Sequence, residues 1–153
     1  MSLDNFQSLE GKWSGNYTLI IDPNSSPHTC PTIMNISSIL NSKFLKLKYT
    51  WEFETTPHEG MILLTFNTKR KLIVTNWIDS WHMGTDIMTC NGYINGNMIS
   101  FTGQYAASEG PDWRWRTEIN LINNEEFEFK MYNIHPQNIE DLAVCVRYLR
   151  VKN

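Results

Sequence analysis

The chain has 153 residues, 41% hydrophobic and 19% charged, with a formal net charge of -3. That size and balance suit a single globular domain over residues 1–153 and exclude a disordered chain. The charge leaves no basic excess for nucleic acid, and no apolar run approaches the ~20 residues that a membrane helix needs.

In chain order, Met1-Ser2-Leu3-Asp4-Asn5 lacks the charged and apolar regions of a signal peptide, and Met1-Ser2-Leu3 reads in part as a cloning leader. Leu3 to Glu10 predicts one short helical turn. Trp13, Gly15, Tyr17, Leu19 and Ile21 then recur at every second position and share a strand face. A Pro-containing loop is expected from Asp22 to Pro31. The run Leu45 to Glu54 alternates without a break, which places Leu45, Leu47, Tyr49, Trp51 and Phe53 together; a helix would scatter them. The same period recurs in Ile99, Phe101, Gly103 and Tyr105. It returns in Trp113, Trp115, Thr117, Ile119 and Leu121, and again in Phe127, Phe129 and Met131. The last run, Leu142 to Val151, is apolar on both faces until Arg147 and Arg150 break it.

Asn95-Gly96 is the strongest hairpin signal, because both residues tolerate the positive φ of a type I′ turn. Asn41-Ser42, Asn67-Thr68-Lys69 and Asn123-Asn124-Glu125 predict further turns, and longer loops are expected at Ala106 to Asp112 and Asn133 to Asp141. The pattern amounts to about ten strands in a meander. Short connections exclude a parallel sheet, and closure removes the exposed edges of a flat one. The expected fold is all-β: a single up-and-down antiparallel barrel, with a sandwich as the alternative. At about ten strands such a barrel is wide enough for a ligand-sized lumen.

Cys30, Cys90 and Cys145 are odd in number and form no CxxC pair, which reads as reduced thiols in a cytoplasmic protein. Neither a nucleophile elbow nor a phosphate loop is present, and no cofactor is expected.

From Thr55 onward the order of short motifs resembles a known family. Pro57-His58-Glu59-Gly60 leads into a strand, followed by Trp77-Ile78-Asp79-Ser80, Gly92-Tyr93, the strand Ile99 to Tyr105, Arg116, Phe127 to Tyr132, and an ending Tyr148-Leu149-Arg150. This is similar to the bacterial family called domain of unknown function 1579. The opening Leu9-Glu10-Gly11-Lys12-Trp13-Ser14-Gly15 fits its start, a pattern shared loosely with lipocalins, fatty-acid-binding proteins and nitrobindins. The resemblance implies a lipocalin-like barrel with Trp13 plugging one end, and no established activity. Trp81-His82-Met83 and Trp113-Arg114-Trp115 depart from the family pattern, so a shared ligand is not implied. Haem of the nitrobindin kind would need a histidine near the end of the chain. Leu142 to Asn153 has none, and His135 precedes that run.

The densest candidate cluster is Trp77 to His82. Alternation puts Trp77, Asp79 and Trp81 on one face, where an acid between indoles is desolvated and suited to proton transfer or ligand anchoring. The competing reading has Asp79 and Ser80 capping a turn. His82, with Asp79, His58 and Glu59, falls short of a metal ligand set. Arg116 has two readings: alternation with Trp115 turns it to solvent, whereas the resemblance turns it inward as an anion anchor. Tyr49, Trp51, Trp77, Asp79, His82, Trp115, Arg116 and Tyr148 are the candidate ligand-binding residues. They point to a small hydrophobic or amphipathic molecule held in the lumen. The alternatives are an enzyme using Asp79 and His82 as acid and base, and a homodimer docking through the apolar run from Leu142.

Overall fold

The computed structural model describes residues 3–152, so Met1 and Ser2 of the suspected leader lie outside it. The alternating segments become β1 (Gly11–Leu19), β2 (His28–Ile39), β3 (Phe44–Phe53), β4 (Thr56–Asn67) and β5 (Leu72–Asp79), then β6 (Met88–Asn95), β7 (Met98–Tyr105), β8 (Trp113–Asn123), β9 (Glu126–Ile134) and β10 (Glu140–Arg150). Each pairs antiparallel with its chain neighbours, and β1 pairs with β10 from Trp13↔Arg150 to Leu19↔Val144. That last ladder closes the sheet into a barrel and decides against the sandwich, since neither terminal strand keeps a free edge. No helix among the described residues is long and apolar enough to cross a membrane.

Antiparallel succession sorts the connections to two ends. One end carries the short turns at 40–43, 68–71, 96–97 and 124–125, together with the chain's entry into β1. The opposite end carries the loops at 20–27, 80–87, 106–112 and 135–139, plus the tight turn Glu54-Thr55. The short-turn end is shut. A 3-10 helix, Asp4–Leu9, buries Phe6 and Leu9 beneath the sheet. Trp13 is fully buried there, donates from Nε1 to Leu9 O at 2.8 Å, and meets the Phe127 ring edge-on at 4.7 Å. Arg150 covers Trp13 from outside, its guanidinium 4.3 Å from the ring centroid. The same group donates to Ser8 O, Glu10 O and Asn124 O, so one side chain ties the helix, the first strand and the β8–β9 turn together.

Several turns differ from expectation. The β6–β7 hairpin is built on Gly96-Asn97, not Asn95-Gly96, and only Gly96 has positive φ. That is the type II′ pattern, which needs the permissive residue in first position. Glu54 and Thr55 both have positive φ and make the β3–β4 turn without any glycine. Their flanking pairs Trp51↔His58 and Phe53↔Thr56 hold the register that forces it. Ile21 lies beyond the end of β1 and is 52% exposed, so it leaves the face it was expected to share. Pro31 lies inside β2, where β3 has not yet begun to pair; its missing N–H therefore faces an open edge. The run from Leu142 shows apolar residues on both faces because a bulge between Leu142 and Val144 turns both Ala143 and Val144 inward. The barrel itself uses that surface, which removes the motive for a dimer face.

Replacing Arg150 with Ala is expected to destabilise the fold by about 2 kcal/mol, the scale of charge-assisted bonds to carbonyls plus a ring contact. Lys at this position should restore only part, since it lacks the fork that reaches three carbonyls. Urea unfolding midpoints measure both; an unchanged midpoint for Arg150→Ala would contradict the clamp.

Candidate functional site

The open end is organised by Asp79, the last residue of β5. Alternation turns it inward, and it is 2% exposed. Its two oxygens divide their partners. Oδ1 accepts the main-chain N–H groups of Trp81 (2.9 Å) and His82 (2.8 Å), while Oδ2 accepts the Tyr49 hydroxyl (2.7 Å) and Trp51 Nε1 (3.3 Å). Trp77 Nε1 donates to the Tyr49 oxygen at 3.0 Å, which extends the chain across the lumen. The turn-capping bonds are therefore present, made by a carboxyl group that is also buried among the rings. Trp81 does not share the face of Trp77 and Asp79. The strand ends at Asp79, and Trp81 lies in the following loop, 37% exposed.

Gly60 makes the arrangement sterically possible. It pairs with both Tyr49 and Asp79, and a Cβ there would lie 2.2 Å from the Tyr49 ring and hydroxyl. Next to it, Ser80 ties the loop to β4: its N–H donates to Glu59 O at 2.9 Å, while its Oγ receives the Glu59 N–H at 3.1 Å and sits 2.9 Å from His58 Nδ1. The His-Glu-Gly and Asp-Ser motifs, whose contacts span 19 to 22 residues of chain, form one clasp.

The clasp aims His82 back into the mouth. Its Nε2 lies 3.1 Å from the Tyr17 hydroxyl, and its ring stacks on Trp51 at 5.4 Å and contacts Trp77, Trp81 and Trp115. Burial lowers its pKa to about 4, with the Asp79 charge opposing and His58 adding to the fall, so the imidazole is neutral near pH 7. Burial likewise raises the Tyr17 and Tyr49 hydroxyls well above the usual phenol value, the Asp79 charge adding to it.

Beneath this layer the lumen is filled. Tyr148 bonds Thr32 through its hydroxyl at 2.9 Å and stacks on Phe127, so it lies at the packed end. A cavity of about 290 Å³ remains at the mouth, lined by Trp77, His82, Met83, Met88, Tyr105 and Trp115 together with Asp86 and Ala106. A smaller one of about 110 Å³ lies across His82 and Trp115, toward Asn133 and Asp141. Of the expected site residues, Trp77, His82 and Trp115 border these cavities, and Tyr49, Trp51 and Asp79 stand behind them. Arg116 points outward, paired with Glu118 and Glu140 and covering the Tyr132 ring at 4.5 Å. His135 pairs with Asp141 at 2.5 Å on the rim. Among the described residues no cluster of three His, Cys, Asp or Glu side chains is placed to hold a metal ion. Tyr17, Met88 and Tyr105 were not anticipated at the site. Strand alternation already turned Tyr17 and Tyr105 inward, but nothing in the sequence pairs them with His82 or the cavity.

A family profile described as "Protein of unknown function (DUF1579)" matches residues 4–150. The chain belongs to this DUF1579 family. No curated protein matches it. Among solved structures it is similar to Rv2717c from M. tuberculosis, at 13% identity and TM-score 0.65, covering 98% of this chain and 97% of that one. It is also similar to the S-type phycobiliprotein lyase CPES from Guillardia theta, at 10% identity and TM-score 0.61, covering 100% and 94%. At these identities the likeness concerns the barrel alone. This DUF1579 protein has the fold that the resemblance implied, and within it the departures Trp81-His82-Met83 and Trp113-Arg114-Trp115 supply His82, Met83 and Trp115 to the wall of the mouth cavity.

Two measurements probe this geometry. Gly60→Ala is expected to displace Tyr49, break the Asp79 network and cost about 3 kcal/mol, combining overpacking with a buried acceptor left short of a donor. Gly84→Ala, at positive φ but with open space around its Cβ, should cost only about 1 kcal/mol. Equal losses would contradict the clasp. The second concerns pH. His82 has a folded pKa (about 4) below its ordinary value of 6.5, so protonation favours the unfolded chain. Stability is full above pH 6.5 and falls as pH drops toward 4, by on the order of 3 kcal/mol. Comparing unfolding at pH 7.5 and 4.5 for the wild type and His82→Phe should show a shallower loss in the variant; parallel losses would refute the assignment.

Proposed function

We propose that this DUF1579 protein binds a small hydrophobic or amphipathic molecule in the mouth cavity. One observation carries the reading: in a lumen otherwise packed with rings, about 290 Å³ stays open and is bordered by Trp77, Trp115, Tyr105, Met83 and Met88. Apolar walls with a few convergent polar groups are the general form of a ligand site, and this volume is at its small end. The exposed apolar side chains Ile21, Trp81, Ile87 and Ile139 lie in the open-end loops, where an apolar ligand would arrive. A barrel shared with a protein named as a phycobiliprotein lyase supports ligand holding over a purely structural role. Asp79 is not the reactive group in this reading, because four donors already occupy it. The three cysteines are free, with Cys30 and Cys90 buried, which supports a cytoplasmic setting.

Native mass spectrometry after mild purification, followed by a thermal-shift panel of lipids and metabolites, tests the proposal. A true ligand at a hundredfold excess over its Kd should stabilise by about 2.7 kcal/mol and raise the melting temperature by several degrees. Its effect should vanish when the cavity wall is removed by Trp115→Ala. A panel with no shift, and a native mass equal to the bare chain, would sink the idea.

A further inference from the structure

We propose that the shut end of the barrel docks on an anionic lipid bilayer, with Leu40 entering the interface and Lys43, Lys69, Arg70 and Lys71 meeting lipid phosphates. This concerns the face opposite the mouth and does not depend on what the mouth binds.

The first observation is a basic cluster that the fold leaves unpaired. Lys43 ends the β2–β3 turn, and Lys69, Arg70 and Lys71 make up most of the β4–β5 turn; all four are exposed. The two turns are neighbours, because they flank one cleft of about 610 Å³ lined by Lys43 and Lys69 together with Phe44 and Phe66. Cations on the barrel wall have acids beside them: Arg116 has Glu118 and Glu140, Lys130 has Glu128, and Arg147 has Glu126. Among the described residues no acid lies within ion-pair distance of the four turn cations. The acids of this end are Asp4 in the cleft wall, Glu10, which accepts the Ser38 N–H, and Glu125, opposite Lys152 at 3.9 Å. The turns are also held in place. Asn67 accepts the N–H groups of Arg70 (through Oδ1, 2.9 Å) and Lys71 (through its carbonyl, 2.7 Å), and Thr65 Oγ1 donates to Lys43 O at 2.7 Å.

The second observation is Leu40. It is 65% exposed and has a φ of 52°, the first of three successive residues in the left-handed region with Asn41 and Ser42. Gly or Asn would suit that backbone better, and leucine has no polar group to offset the cost. The turn thus holds an apolar side chain in water against both solvation and backbone preference. An apolar tip ringed by cations is the pattern that binds a bilayer interface: the cations reach headgroup phosphates and the tip reaches the acyl boundary. A nucleic acid would leave Leu40 without a use, and residues 40–43 and 68–71 offer no ring for a base to stack on.

Polarity of charge is the third. The open-end loops carry Asp22, Glu54, Asp86, Glu109 and Asp112 and no Lys or Arg. Tilted strands of this length separate the two ends by roughly 20 Å, more than twice the ~8 Å screening length at physiological salt. The acids behind the net charge of -3 are therefore screened at the shut end, and they turn the mouth away from an anionic surface toward solution.

Flotation of the full chain with vesicles of phosphatidylcholine alone, or of phosphatidylcholine with phosphatidylglycerol, measures the partition coefficient. Binding is expected only to the anionic vesicles and should weaken steeply with salt. Lys69→Gln combined with Arg70→Gln should lower the coefficient about 25-fold, about fivefold for each charge. Lys130→Gln removes the same charge from the wall and should change it by less than about twofold. Leu40→Asn should lower it about tenfold, with a melting temperature unchanged or raised because Asn accepts the left-handed backbone. Should Leu40→Asn unfold the chain, the charge variants, at exposed side chains, still decide the matter. A loss for Lys130→Gln equal to that for Lys69→Gln alone would reduce the effect to net charge and overturn the face. Undiminished binding by folded Leu40→Asn would overturn the insertion. No binding to anionic vesicles, with or without retention on heparin, would overturn the proposal as a whole.

Discussion

A buried carboxylate with every acceptor position used is the constraint on which the open end depends. Asp79 sits among aromatic rings where an unpaired charge would be very costly, and it is tolerable only because four donors converge on it. Each donor is thereby fixed in turn. Two are main-chain groups, so the carboxylate dictates the path of the loop after β5. Two are side chains from β3, so the same residue locks the inner wall. His82 follows: it reaches into the lumen because the loop that carries it is pinned at Asp79 on one side and clasped through Ser80 to β4 on the other.

The two ends of the barrel are built differently. At the shut end, turns are short, the helix covers the core, and Arg150 links three segments over Trp13. The open end has the long loops, the acidic rim and the two cavities beside His82, while a wider cleft of about 610 Å³ lies outside the shut end between the helix and the turns at 42–43 and 67–69. This polarity follows from the meander, which must return every second connection to the same end. Ten strands would enclose a wide lumen, but large rings fill most of it: Trp13, Tyr17, Tyr49, Trp77 and Tyr148 are each at most 2% exposed. What remains open is therefore a shallow chamber at the mouth rather than a central channel.

Inward and outward faces were legible in the chain because strand periodicity is a local property. Leu45 to Phe53 and Phe127 to Met131 alternate in sequence and in burial alike, while in Ile99 to Tyr105 the polar Ser100 is buried as well. The candidate site was legible only as a set of residue types. Asp79 and His82 stood out as chemistry close together, yet alternation was extended one step too far, to Trp81, because a turn imposed by the acid's own hydrogen bonds leaves no periodic mark. Arg116 was undecidable from sequence alone; its outward position follows from pairing with Glu118 on its own strand and Glu140 on β10.

Sequence by itself determined the strands, their faces, the antiparallel meander and the family, since these rest on alternation, turn residues and motif order. Only the tertiary structure decided that β1 closes on β10, that Gly60 makes room for Tyr49, and that Trp115 is left with a donor and nothing to give it to. Those facts depend on residues from different strands meeting at specific distances, and the spacing of residues along the chain does not encode such distances.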